Sequence, residues 1–133
     1  MSTRSATCLC GQVKITATPK ANVSACSCGS CRKWVGGPFM AIACGTEVQV
    51  QGEIKVFASS AWAERAFCPT CGSALFYRLK ANQQHMLAAG LFEDQSGFVL
   101  DHQVFVDKNP GWYSFEQDTK DMTEAEIFAK FGG

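Results

Sequence analysis

Cysteines are the residues of this sequence with the clearest capacity for chemistry, since eight of them occur in 133 residues. Four form two close pairs, Cys8 with Cys10 and Cys68 with Cys71. After the second pair, Gly72 permits a positive φ, so the Cys-x-x-Cys turn can bring two thiolates onto one ion. Each pair supplies half of a tetrahedron, and the four cysteines together predict a closed, structural zinc site. The alternative is that Cys8 and Cys10 are free buried thiols and that other residues complete the second pair's site.

A third group contains Cys26, Cys28 and Cys31, three thiols within six residues. Three protein ligands with a fourth position open to water or substrate characterise a catalytic zinc, whereas four protein ligands characterise a structural one. The loop from Cys31 to Cys44 is long enough to bring a fourth thiolate onto the same ion, which would close the site. Cys44 also ends the apolar run 39–43, where a lone cysteine usually behaves as a small buried hydrophobe. We therefore expect an open site on three cysteines and keep the closed site as the alternative.

Two cations and an aromatic residue, Arg32, Lys33 and Trp34, follow the third group directly. The cations are either solvated surface charges or groups that offset an anionic tris-thiolate zinc and attract an acidic substrate. Trp34 is a candidate wall for a bound ligand, because ligand pockets are commonly lined by aromatic side chains. The two histidines, His85 and His102, have no recognisable ligand spacing with the cysteines, so we expect structural roles for both.

Charge and hydropathy exclude several classes of partner. Twelve Lys and Arg residues balance twelve Asp and Glu residues, so the chain lacks the positive field that draws proteins onto nucleic acid. Residues 1–7 show no apolar run leading to a cleavage site, and no stretch is long enough to span a bilayer. We expect a cytoplasmic protein with no nucleic-acid and no membrane partner. In that reducing compartment, the thiols are predicted to bind metal rather than to form disulfides.

Short β-rich or alternating runs, separated by turn residues, must position these cysteines. We predict a single domain over residues 1–133, mainly β with antiparallel sheets, because the spacing leaves little room for crossover helices. The predicted strands are 12–17, 39–44, 47–50, 54–57, 63–67, 74–79, 85–91 and 103–106.

A short C-terminal helix is predicted where Thr123 and Glu126 have the spacing of a capping box, and Gly132-Gly133 is expected to end it. The apolar residues that follow on helical spacing are Ile127, Phe128 and Phe131. A weaker helical turn is predicted over residues 29–33, with a loop held by the nearby cysteines as the alternative.

The cysteine pattern resembles the family of glutathione-dependent formaldehyde-activating enzymes, which includes vertebrate centromere protein V and has the β-tent fold. The segments that carry the resemblance are 8–11, 26–33 and 67–75, and more weakly 104–108 with 110–112. Two positions depart from the family pattern. This chain has Ser27 where the family often has histidine, and His102 lies close to, but not at, the place of the family's tail histidine.

The resemblance implies two zinc ions per chain and a small-molecule thiol, glutathione, as the partner. It assigns the structural zinc to Cys8, Cys10, Cys68 and Cys71, and the catalytic zinc to Cys26, Cys28 and Cys31. The implied activity combines formaldehyde with glutathione to give S-hydroxymethylglutathione, classed in reverse as a carbon-sulfur lyase reaction. Two other functions stay open at this point: a non-catalytic protein-binding module with two structural zincs, and a thiol redox sensor whose clustered cysteines release zinc on oxidation.

Overall fold

The computed structural model describes residues 2–131, and residue 131 by its backbone alone. The strands in this part of the chain are β1 (Arg4–Thr7), β2 (Lys14–Ala17), β3 (Asn22–Cys26), β4 (Phe39–Gly45), β5 (Gln49–Gln51), β6 (Lys55–Phe57), β7 (Ala63–Phe67), β8 (Ala74–Leu79), β9 (His85–Ala88), β10 (Val99–Val104) and β11 (Lys120–Met122). The α-helices are α1 (Gly29–Val35) and α2 (Glu124–Phe131), and single 3-10 turns occupy Ala89–Leu91 and Val106–Lys108.

The strands form two sheets. A three-stranded sheet has the order β1-β2-β5, and an eight-stranded sheet has the order β11-β10-β3-β4-β9-β8-β7-β6. All of these pairs are antiparallel except two, because β10 runs parallel to both β3 and β11. The predicted fold class, mainly β with antiparallel sheets and a short C-terminal helix, is confirmed.

Several strands differ from the sequence prediction. β1, β3 and β11 were not predicted, and β10 begins at Val99 rather than at residue 103. In β3 the buried positions are Val23 and Ala25, flanked by Asn22 and Ser24. The alternation is real, but Val23 is its only residue of high β propensity, and the others are small or polar. The strand predicted over 85–91 ends at Ala88, because the chain turns into the 3-10 turn there.

Both predicted helices are present. The weaker one, α1, begins after Cys28, whose Sγ accepts a hydrogen bond from the Cys31 N–H, and it ends at Gly36 with φ 82°. The capping box of α2 is formed as predicted: the Thr123 N–H donates to Glu126 Oε1 at 2.9 Å, and the Glu126 N–H donates to Thr123 Oγ1 at 3.2 Å. The expected end at Gly132-Gly133 lies outside the described residues. Within residues 2–131, no helix combines the length and hydropathy that crossing a bilayer would need.

Two apolar clusters fill the interior, and each surrounds one group of cysteines. The larger cluster includes Cys8 and Cys68, and its largest fully buried side chains are Phe76, Phe92, Ile15, Ile42, Leu75, Leu87 and Val13. The smaller cluster consists of Cys31, Phe39 and Ala41, packed against Cys26, Cys28, Trp34, Tyr77, Met86 and Ala88. The fold therefore holds the two groups of cysteines in separate packed environments.

Candidate metal centres

The first centre joins the two sheets through two tight turns. One turn follows β1 and carries Cys8 and Cys10, and the other connects β7 to β8 and carries Cys68 and Cys71. The four Sγ atoms all lie within 4.8 Å of one another. Cys8 and Cys68 are buried while Cys10 is exposed, so the cluster lies at the edge of the larger core. The predicted pairing of these four cysteines is therefore the arrangement found in the structure.

Backbone geometry explains why each turn presents its sulfurs inward. Gly11 and Gly72 have φ values of 81° and 78°, a region that glycine adopts without strain. The Gly72 N–H donates to the Cys68 carbonyl at 2.8 Å, which closes the second turn. In the first turn, the Val13 N–H donates to Cys8 Sγ at 3.3 Å, an interaction that favours the thiolate. Hydrogen bonds from Ser73 likewise lower the pKa of Cys71 to about 5.

The second centre is built at the junction of β3 and α1. Cys26 ends β3, Cys28 is the N-cap of α1 and Cys31 lies in the first turn of the helix. Their Sγ atoms lie within 4.8 Å of one another, and no other His, Cys, Asp or Glu of residues 2–131 joins this group. The three cysteines predicted as one ligand set thus converge, with a count that leaves one tetrahedral position open.

The three thiols of this second centre lie close enough to shift one another's pKa values. Hydrogen bonds from Cys26 and Cys31 lower the pKa of Cys28 to about 2, whereas hydrogen bonding to Cys28 and Cys31 raises the pKa of Cys26. Adjacent thiolates repel one another, so ionisation of one thiol opposes ionisation of the other two. A divalent ion would allow all three to ionise, and an all-sulfur donor set fits zinc.

Cys44 does not join the second centre. Its side chain is buried in the larger core, and its Sγ donates to the Ile42 carbonyl at 3.6 Å. Burial raises the pKa of Cys44 to about 12, so this thiol stays neutral. The geometry favours the interpretation of Cys44 as a buried hydrophobe over its interpretation as a fourth ligand.

A Cys44→Ala chain should therefore keep the same metal content per chain as the parent, with a modest loss of stability from the small cavity it leaves. Metal analysis after gel filtration measures the content, and a thermal melt measures the stability. Loss of one metal ion on this substitution would restore the closed-site alternative.

Arg65 is a residue of the second centre that the sequence analysis missed. It lies on β7 and is buried, with 6% of its surface exposed. Its Nη1 donates to Cys31 Sγ at 3.5 Å, and its guanidinium carbon lies 5.0 Å from the Trp34 ring centroid and 5.1 Å from that of Tyr77. The available signal was the alternation of β7, which places Arg65 on the same face as the buried Ala63.

A groove of about 560 Å³ adjoins this centre. Its lining residues are Ser30, Lys33, Trp34, Lys55, Val56, Phe57, Ser59, Arg65 and Phe67. Lys33 and Trp34, both singled out from the sequence, lie in this lining, and Trp34 is braced by Phe39 with ring centroids 5.1 Å apart. Arg32 does not line the groove, because its Nε donates back to the Ser27 carbonyl at 3.0 Å.

The C-terminal segment also reaches the second centre. Ser27, which is buried between two of the cysteines, shares a hydrogen bond of 2.7 Å with the Tyr113 hydroxyl. The histidines lie elsewhere, and neither belongs to a cysteine group of the described chain. His85 Nδ1 bonds to the Gly45 carbonyl at 3.0 Å and its pKa is lowered by burial, while His102 Nδ1 contacts Asp101.

The fold and its centres define a mainly β domain with two cysteine clusters that can each hold a metal ion. A sequence model of the glutathione-dependent formaldehyde-activating enzymes matches residues 3–108. An uncharacterized lyase of Schizosaccharomyces pombe is 33% identical over 124 residues, which are 90% of this chain and 90% of the relative. The chain therefore belongs to the family of glutathione-dependent formaldehyde-activating enzymes, as the resemblance indicated.

A solved structure supports the same fold. The crystal structure of a Rhodobacter sphaeroides protein matches with a TM-score of 0.58 at 23% sequence identity. The match covers 67% of this chain and 87% of that protein's chain. At this level of identity the likeness shows a shared fold.

Proposed function

We propose that this protein is a zinc-dependent, carbon-sulfur lyase-type enzyme that joins a small thiol to formaldehyde or a related small electrophile. Glutathione is the leading candidate for the thiol. The observation that carries the proposal is the group of three cysteines, which no fourth His, Cys, Asp or Glu side chain of the described residues joins and which adjoins a groove. Membership of the family and the lyase name of the S. pombe relative support it.

The two centres have different roles in this proposal, with one zinc ion at each. Cys8, Cys10, Cys68 and Cys71 supply a complete tetrahedron, so their zinc is structural. Cys26, Cys28 and Cys31 would hold the catalytic zinc, which would favour the thiolate form of a substrate thiol. Unpaired cysteines in both centres suit a reducing compartment, the cytoplasm.

The reaction needs little from the chain beyond position and charge. The thiol sulfur bonds to the carbonyl carbon, the carbonyl π electrons pass to the oxygen, and the proton lost by the thiol ends on that oxygen. Lys33 and Lys55 supply cations that suit the carboxylates of an acidic thiol, while Trp34 and Phe57 supply apolar walls. Arg32, held by the Ser27 carbonyl, contributes positive charge near the centre without lining the groove.

An assay of formaldehyde consumption with glutathione tests the proposal on the zinc-loaded chain. A Lys33→Glu chain should raise KM for glutathione by about five-fold or more, since an exposed charge contact is worth up to about 1 kcal/mol and the charge reversal adds a repulsion. The effect should shrink at high salt because exposed charges are screened. Lys14→Glu, at an exposed position of the other sheet, is the matched control and should leave KM unchanged. A parent chain that consumes no formaldehyde with glutathione would contradict the proposed substrates.

A further inference from the structure

Arg65 is a buried cation that lacks a carboxylate partner. No Asp or Glu oxygen of residues 2–131 lies within 4.0 Å of its guanidinium nitrogens. Arg78, on the neighbouring β8, shows the usual arrangement, since its Nη2 lies 2.6 Å from Glu64 Oε1. Buried charges in proteins are normally paired, because an uncompensated charge is costly to remove from water. The structure must therefore supply another negative group to Arg65.

The group in contact with Arg65 is the sulfur of Cys31. The Nη1–Sγ distance is 3.5 Å, and Ser59 Oγ accepts from Nε at 3.1 Å on the other side. The rings of Trp34 and Tyr77 both lie against the guanidinium, where stacking and cation–π contacts hold its plane. These contacts fix the guanidinium between the three cysteines and the groove, which Arg65 also lines.

We infer that Arg65 is a positioning residue that serves as the counter-ion of the group Cys26, Cys28 and Cys31, orienting Cys31 and offsetting the group's negative charge. This inference rests on the metal-binding part of the proposed function. Three thiolates around a divalent ion leave one net negative charge, which one guanidinium cancels. A substrate that arrives as a thiolate then meets a neutral centre instead of an anionic one, so Arg65 favours its binding.

Cobalt spectroscopy on the full chain tests this inference, because the sulfur-to-cobalt charge-transfer bands report the electron density on the ligating sulfurs. An Arg65→Met chain should shift the bands of the three-cysteine centre to lower energy, since the sulfur loses a hydrogen-bond donor. It should also weaken glutathione binding by about ten-fold or more, the range for loss of a group that orients a metal ligand. A Cys28→Ser chain supplies the spectrum of the other centre for subtraction.

Two further variants separate a counter-ion from a merely structural residue. Arg78→Met removes the arginine of the neighbouring strand. It should leave the charge-transfer bands and the affinity for glutathione at their parental values. Arg65→Lys keeps the charge but loses the planar fork, so it should fold even where Arg65→Met does not, and should show a smaller shift and smaller loss of affinity. Parental bands and affinity in a folded Arg65→Met chain would overturn the inference. Where only Arg65→Lys folds, a loss of affinity of about ten-fold or more despite the retained charge would overturn it.

The band shift and the glutathione affinity test the role of Arg65, whereas formaldehyde turnover tests the proposed reaction. Shifted bands and weakened glutathione binding in Arg65→Met, with a parent chain that does not consume formaldehyde, would support the role of Arg65 and contradict the proposed reaction. Unchanged bands with a parent chain that does consume formaldehyde would overturn the role of Arg65 and leave the proposed reaction supported.

Discussion

A Cys71→Ser chain is expected to lose its cooperative fold. The four-cysteine centre links the turn after β1, in the three-stranded sheet, to the turn between β7 and β8, in the eight-stranded sheet. A structural zinc contributes about 10–16 kcal/mol of binding free energy to folding, and a domain's whole stability is about 5–15 kcal/mol. Loss of one of the four ligands weakens this binding, and even part of that free energy is a large share of the domain's total stability. Circular dichroism during a thermal melt, with zinc analysis of the soluble fraction, measures the result.

Ser73→Ala provides the matched control for that experiment. The Ser73 hydroxyl accepts from the Leu9 N–H at 3.0 Å and contacts Cys71 Sγ at 3.2 Å, so it belongs to the same turns without being a ligand. Its removal should cost about 0.5–1.5 kcal/mol, the usual value of a hydrogen bond, and should leave a cooperative melt. A soluble Cys71→Ser chain that melts as cooperatively as Ser73→Ala would contradict a structural role for the first centre.

A Cys28→Ser chain should keep the fold, bind one zinc ion instead of two, and lose activity by more than about 100-fold, the upper end for loss of a group that supports a metal ligand. The fold should survive because Cys28 is the N-cap of α1, where its Sγ accepts from the Cys31 N–H at 3.3 Å. Serine is among the best N-cap residues and can accept the same hydrogen bond. The helix keeps its start while the second centre loses a thiolate.

Zinc content per chain and a melting curve check this second prediction together. The Cys44→Ala chain is a suitable control, since it removes a thiol from the core and none from either centre. If Cys28→Ser lost both zinc ions, the two centres would not be independent, and the assignment of separate structural and catalytic roles would fail.

The cysteine groups were predictable because metal binding requires particular residue types at short spacings. Cys8 with Cys10, Cys68 with Cys71, and Cys26 with Cys28 and Cys31 show such spacings in the sequence. The two helices were predictable for a similar reason, since capping and helical spacing are local. The parallel pairing of β10 with β3 was not predictable in this way. It depends on residues far apart in the chain, and β3 carries Ala25 and Ser24 where a strand pattern would show larger apolar residues.

The surroundings of the second centre show the same limit. Arg32 and Lys33 were chosen because they follow the cysteines, but α1 turns the Arg32 guanidinium back to the Ser27 carbonyl and leaves Lys33 on the groove. Lys55 on β6 and Arg65 on β7 lie 24 and 34 residues beyond Cys31 in the sequence. Only the packing of these two strands beside α1 brings their side chains to the groove. Candidate ligands can be identified from their spacing in the sequence. Residues far away in the sequence that offset the charge of those ligands can be identified only from the three-dimensional structure.

X-ray absorption at the zinc edge of the purified, zinc-loaded chain, before and after addition of glutathione, tests most directly whether the second centre has an open coordination position. We expect seven protein sulfurs shared by two zinc ions, together with one oxygen or nitrogen ligand that is exchangeable. Millimolar glutathione should replace that light atom with an eighth sulfur, and should do so in the parent chain but not in Cys28→Ser. Four sulfurs on every zinc before any thiol is added, with no change afterwards, would contradict an open centre and leave a protein whose metal ions are structural alone.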